Sequence, residues 1–148
     1  MTDSNNRFSI KLPSGWHDQT VYQYQGPEIS GQFHTVSLSL DRQLADRNID
    51  RFARDRIDPI LESYQGLDVL KREEVTLEGG NSVYEFAYRW IPSEGVQLFG
   101  KYVFVIKDDI GFCFSCSFSK KSFKMLGGQM NDLIESLVPG TYEPLKSS

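Results

Sequence analysis

The sequence has no long apolar run, and this absence excludes the commonest kind of membrane protein. No stretch approaches the roughly 18 consecutive apolar residues that a transmembrane helix needs. The polar start, Met1 to Arg7, also lacks the apolar region of a secretory signal peptide. We therefore expect a cytoplasmic protein with no direct membrane anchoring.

Basic charge is also in short supply. The chain has 16 Lys and Arg residues against 20 Asp and Glu residues, which gives a net charge of -4 and a pI near 5.2. A nucleic-acid-binding surface needs a basic face to neutralise phosphates. The charge balance thus argues against a nucleic-acid partner.

Cysteine and histidine are too few to indicate a redox, metal or catalytic site. Cys113 and Cys116 have a Cys-x-x-Cys spacing, but they lie in a run that is typical of a strand, where this spacing places the two thiols on opposite faces. His17 and His34 lack metal-ligand spacing, and the chain contains no Gly-x-Ser-x-Gly motif. We expect no enzyme, no catalytic residue, no metal and no cofactor. A hydrolase that uses His17 or His34 is the enzymatic alternative.

What the chain does contain is enough apolar material for one core. With 148 residues, 39% of them hydrophobic, it is expected to form a single domain over 1–148, with loose tails at 1–7 and 141–148. Alternation of apolar and polar residues predicts seven strands, and three- and four-residue spacing predicts two helices. The strands are Phe8–Leu12, Gln19–Gln25, Thr35–Asp41, Leu67–Leu77, Ser82–Ile91, Val96–Lys107 and Gly111–Phe118. The first helix is expected to start at a cap formed by Asp46 or Asn48 and to end at Gly66, and the second to run from about Lys120 to Leu137.

This order, βββ-α-ββββ-α, predicts an α+β fold with a mainly antiparallel sheet flanked by helices. Pro59 lies inside the first predicted helix, where its missing N–H predicts a kink or a break. Two of the strands, Ser82–Ile91 and Val96–Lys107, carry apolar residues on both faces. Either helices cover both faces of the sheet, or part of it forms a half-open apolar groove or a dimer surface.

Several motifs in order resemble the DcrB-like/Eag family of small domains. They are Phe8 to Trp16, Asp18 to Val21, Val36 to Leu40, Tyr84 to Trp90 and Leu137-Val138-Pro139. The resemblance implies a PsbP-like α/β sandwich. The DcrB branch carries a lipoprotein signal that this sequence lacks, so the resemblance favours the Eag branch, the effector-associated chaperones of type VI secretion.

The resemblance also implies a function. Chaperones of this branch act as homodimers that shield the N-terminal transmembrane helices of an effector. They help to load the effector, through its PAAR domain, onto the VgrG spike. The alternative is a PsbP-like binding module for a small apolar ligand or another protein partner.

A groove for such a helix needs small hydroxyl and amide groups among aliphatic ones, as in the helix contacts of membrane bundles. Thr35, Ser37 and Ser39 form a hydroxyl stripe opposite the apolar side of their strand. The other candidates for client binding lie on the elements where the family binds its client. They are Val21, Gln23, Ile57, Leu61, Leu98 and Tyr102.

Overall fold

The computed structural model describes residues 10–16, 19–29, 32–42, 44, 47–119 and 122–139. The strands are β1 (Val21–Ile29), β2 (Gln32–Asp41), β3 (Asp68–Thr76), β4 (Ser82–Ser93), β5 (Val96–Lys107) and β6 (Ile110–Phe118). The helices are α1 (Ile49–Ser63), which follows β2, and α2 (Phe123–Ser136), which follows β6. Of the predicted first strand, Leu12 forms an isolated bridge, while Phe8 and Ser9 lie outside the described residues, as do both predicted tails.

One six-stranded sheet, in the order β1-β2-β6-β5-β4-β3, organises the fold. Every neighbouring pair is antiparallel. Strands β3 to β6 form a meander, and β6 then lies beside β2. The prediction of an α+β fold with an antiparallel sheet and two helices is confirmed.

Alternation along the strands gives the sheet two faces, each with its own helix. On the α2 face, the core includes Leu38, Val103 and Phe114, packed with Met130 and Ile134 of the helix. On the α1 face, a second core brings three helix residues, Phe52, Ala53 and Ile57, against aromatic strand residues. These strand residues are Tyr84, Phe86 and Phe104.

Two local predictions need correction. Gly26-Pro27 was expected to end its strand, but β1 continues to Ile29 through a register shift between Gln25 and Glu28, which accommodates the proline as a bulge. Pro59 does not break α1, which runs unbroken to Ser63. Pro59 is exposed, so its ring stays out of the core, and the packing of the buried face of α1 holds the helix together on both sides of it.

The α2 face also carries a buried charge. The carboxylate of Glu85 is 4% exposed and lies 2.5 Å from the Lys71 ammonium and 3.2 Å from that of Lys101. Burial alone would raise the pKa of this carboxyl, but the two ammonium groups together hold the pKa below its usual value. Among the described residues, no helix has both the length and the apolar character required to cross a bilayer.

Candidate functional site

Helix α1 covers only part of its face of the sheet. It packs on β4 and β5, and its buried residues lie over the aromatic rings of those strands. Away from the helix, the same face of β1, β2 and β6 carries a group of amide and hydroxyl side chains. We call this surface the hydroxyl strip and define it as Gln23, Thr35, Ser37, Ser115 and Ser117, all of which are exposed or half-buried.

Strand register explains how residues far apart in sequence form this strip. Gln23 pairs with Ser37, Ser37 with Ser115, and Ser115 with Tyr102. Tyr102 in turn pairs with Phe86. A single row of side chains therefore crosses five strands, from an exposed amide through two hydroxyls and a phenol to a ring in the core.

An open hollow of about 420 Å³ lies over the strip. Its lining is rich in hydroxyl groups, which come from Ser and Thr residues of β2 and β6 and from two tyrosines. The residues are Gln23, His34, Thr35, Ser37, Tyr88, Tyr102, Ser115, Cys116 and Ser117. The volume suits a few side chains of a partner, because a complete helix is much larger.

Aromatic rings form the wall of this hollow on the β4 and β5 side. Tyr102 stacks with Phe104 at 6.3 Å and with Tyr88 at 6.0 Å between ring centroids, and Tyr88 lies 5.6 Å from Phe86. Burial raises the pKa of both tyrosines, that of Tyr102 to about 12. Both phenols are therefore neutral at physiological pH and able to donate hydrogen bonds.

An apolar lip extends the same face beyond the end of α1. Tyr64 contacts Trp90 edge-on, with ring centroids 4.9 Å apart, and Trp90 pairs with Leu98 on β5. Tyr64 and Leu98 are each 43% exposed. The α1 face thus places an exposed apolar patch near a stripe of small polar groups.

The structure brings most of the predicted client-binding residues to this face. Gln23, Thr35 and Ser37 belong to the strip, and Val21 and Ser39 pair with each other in the neighbouring row. Tyr102 belongs to the aromatic wall and Leu98 to the lip. Leu61 is half-buried against the α1 core.

Ile57 is the exception among the predicted residues. Its side chain is 0% exposed, because it lies between α1 and the sheet. It therefore seats the helix and does not belong to the open surface. Sequence reasoning in turn missed Tyr88, Ser115 and Ser117. The alternation Cys113-Ser115-Ser117 gives a signal for the two serines, but the register that joins them to Ser37 is absent from the sequence.

The remaining reactive side chains show no catalytic grouping in the part of the chain that the structure describes. Cys113 belongs to the α1 core and Cys116 to the α2 core, and burial raises the pKa of their thiols to about 12 and about 11. The buried His34 ring has no hydrogen-bond partner at Nε2, and His17 lies outside the described residues. No group of three or more His, Cys, Asp or Glu side chains there is placed to hold a metal ion.

Comparisons with known proteins show the fold and leave the family open. The sequence matches no family model, and no curated protein matches it either. One solved structure is similar over 88% of this chain and 90% of its own, with a TM-score of 0.67 and 17% identity. It is the protein of unknown function PA94 from Pseudomonas aeruginosa, which its description suggests is a regulator.

A second solved structure is the cyanobacterial PsbP protein (CyanoP) from Synechocystis sp. PCC 6803. It is 11% identical, with a TM-score of 0.50, and the match covers 82% of this chain and 93% of that one. Sequence identities this low support a shared fold and nothing more. The chain has a PsbP-like fold, as the antiparallel sheet with a helix on each face indicates.

Proposed function

We propose that this protein is a cytoplasmic chaperone that binds and shields N-terminal transmembrane helices of a type VI secretion effector. The observation that supports the proposal is the hydroxyl strip, which α1 leaves open beside an aromatic wall and an apolar lip. The resemblance to the DcrB-like/Eag family names the client. That client is an effector with hydrophobic N-terminal segments and a PAAR domain, which is loaded onto the VgrG spike.

The physical task of such a chaperone explains why its surface should be mixed. A transmembrane helix in water exposes apolar area at a cost of roughly 25 cal/mol per Å². The lip and the aromatic wall supply apolar contacts that recover part of this free energy. Small hydroxyl groups let a helix approach closely and can hydrogen-bond to polar groups on it, as in membrane bundles. Because the strip is not wholly apolar, binding stays reversible.

The size of the hollow sets how a helix would sit. A volume of about 420 Å³ takes side chains from one face of a helix and leaves its other faces uncovered. A homodimer, which the family resemblance also implies, would bring a second strip to the exposed side of the guest. The mechanism uses neither a nucleotide nor a metal.

Co-expression with an effector that has hydrophobic N-terminal segments and a PAAR domain tests the proposal. The chaperone should co-purify with the full-length effector and fail to co-purify once the hydrophobic N-terminal segments are deleted. The matched control deletes a polar segment of equal length elsewhere in the effector, and it should leave the complex intact. A complex that survives removal of the hydrophobic segments would contradict the proposal.

A second candidate function follows from the volume of the hollow. About 420 Å³ lies within the range of small-molecule pockets, roughly 300–1,000 Å³, so the surface is large enough for a small apolar ligand. Its hydroxyl-rich lining fits such a ligand less well than it fits a helix with small polar residues. Saturable binding of a fatty acid at one site per monomer, undisturbed by a helical peptide, would favour this alternative.

A further inference from the structure

One glycine lies at a place where the sheet gives no backbone reason for it. Gly100 is buried in the middle of β5, between Tyr88 on β4 and Ser117 on β6. It is not among the residues with positive φ, so any residue type could adopt its backbone conformation. A glycine inside a strand weakens the strand and often marks a close approach by another group.

The group that approaches Gly100 is the ring of Tyr88. A Cβ atom added at Gly100 would lie 2.1 Å from Cζ of Tyr88 and 2.2 Å from its hydroxyl oxygen. The hydroxyl end of the Tyr88 ring thus lies directly over the glycine on β5. Phe86 and Tyr102, which pair with each other in the neighbouring row, both contact the Tyr88 ring from that side. Tyr88 also lines the hollow over the hydroxyl strip.

We infer that Gly100 and Tyr88 form a pair that sets the depth of the hollow over the hydroxyl strip. This inference rests on the proposed function and identifies two positioning residues for it. Any side chain at Gly100 must displace the Tyr88 ring. Because β5 lies beneath the ring and Phe86 and Tyr102 fill the neighbouring row, the ring moves outward into the space that a guest helix needs.

A purely structural role for the pair makes a different prediction. If the ring only fills space over the glycine, a Cβ at position 100 lowers stability and leaves binding by the folded protein unchanged. Removing the ring as well would then restore stability without any effect on affinity. Binding and stability must therefore be measured on the same variants.

The experiment uses a dye-labelled synthetic peptide of about 20 residues, built from Leu, Ala and Ser with lysines at both ends, and measures its binding by fluorescence anisotropy. Gly100→Ala should remain folded by circular dichroism and bind the peptide at least about tenfold more weakly. Adding Tyr88→Ala to Gly100→Ala removes the clash and should return the affinity to that of Tyr88→Ala alone. Unchanged affinity of Gly100→Ala, or a double variant no better than Gly100→Ala, would overturn the inference.

A third variant covers the case in which Gly100→Ala does not fold. Tyr88→Trp keeps the glycine and puts a larger ring over it. The hollow should therefore become shallower, and the peptide should bind more weakly. Tyr88→Phe, the matched control, keeps a ring of the same size over the glycine and should bind within about threefold of the wild type. Equal binding by Tyr88→Trp and Tyr88→Phe would refute the pair's role. If the wild type itself fails to bind the peptide, the proposed function fails and the inference fails with it.

Discussion

The two faces of β2 and β6 are built from alternate residues of the same strands, yet their compositions differ sharply. On the α2 face, Leu38 pairs with Phe114, and both are at least 90% buried. One residue along, on the α1 face, Ser37 pairs with Ser115, and both are half-buried under an open hollow. On these two strands, helix α2 covers one face. The other face carries hydroxyl groups, which can contact either water or a packed partner.

This difference teaches how a small sheet can be stable and still leave a surface for a guest. The α2 face supplies the burial that stabilises β2 and β6. The opposite face is thereby released from core packing. This face can keep small hydroxyls at little cost, because Ser and Thr side chains that still reach water lose little hydration.

The largest expected effect compares neighbouring residues on the two faces. Phe114→Ala should lower the free energy of unfolding by about 3–5 kcal/mol, because it leaves a cavity in the α2 core. Ser115→Ala should change it by less than about 1 kcal/mol. Urea denaturation followed by tryptophan fluorescence measures both. A loss at Ser115 as large as that at Phe114 would show that the strip is part of the core.

A second change adds charge to the open face. Replacing Ser37 and Ser39 together by Asp should weaken binding of the effector by about 3 kcal/mol, because a guest helix would bury carboxylates without partners. The fold should survive, with a circular dichroism spectrum like that of the wild type. The matched control, Thr76→Asp with Gln129→Asp, adds the same charge at exposed positions of β3 and α2. If both pairs of substitutions bind the effector equally well, Ser37 and Ser39 are not in the site.

A smaller effect concerns the buried carboxylate of Glu85 on the α2 face. Glu85→Gln should cost about 1–3 kcal/mol of stability, because Lys71 and Lys101 lose a charged acceptor. The pKa of Glu85 is lowered in the folded state, so the unfolded chain takes up the proton first as the pH falls. The carboxylate's contribution is therefore present above about pH 4.3, the ordinary pKa of Glu, and is lost below it.

Unfolding curves between pH 3 and pH 7 would check this sign. The difference in stability between the wild type and Glu85→Gln should shrink as the pH falls. The control is Glu73→Gln. The carboxylate of Glu73 is exposed and its contact with Lys71 is longer, at 3.8 Å, so this substitution should change the free energy of unfolding little across the pH range. A stability difference between the wild type and Glu85→Gln that grows as the pH falls would contradict the lowered pKa of Glu85.

The fold was largely predictable because alternation and helical spacing are local signals. The pattern from Thr35 to Asp41 identifies both the strand and its buried side, and the spacing of Phe52, Ala53 and Ile57 identifies a helix face. The placement of β6 beside β2 was not predictable. It depends on how the last strand of the meander meets a strand about 70 to 80 residues earlier in the chain, and no local pattern records that pairing.

The candidate site was only half predictable for the same reason. Thr35, Ser37 and Ser39 follow from the parity of one strand, whereas Ser115 and Ser117 join them only through the register of two strands. The role of Tyr88 depends on Gly100, with which it pairs on the neighbouring strand. Ile57 shows the opposite problem. An apolar residue on a helix gives the same sequence pattern whether it packs on its own sheet or binds a guest helix.

Protection of a single cysteine at Ser37 tests the central claim most directly. The alkylation rate of Ser37→Cys would be measured with and without the helical peptide, beside Gln129→Cys, an exposed position on α2. Burial raises the pKa of the two native thiols to about 12 and about 11, which slows their alkylation. The peptide should slow alkylation at Ser37→Cys by at least about tenfold and leave Gln129→Cys unchanged. Equal rates at Ser37→Cys with and without bound peptide would show that the helix binds elsewhere.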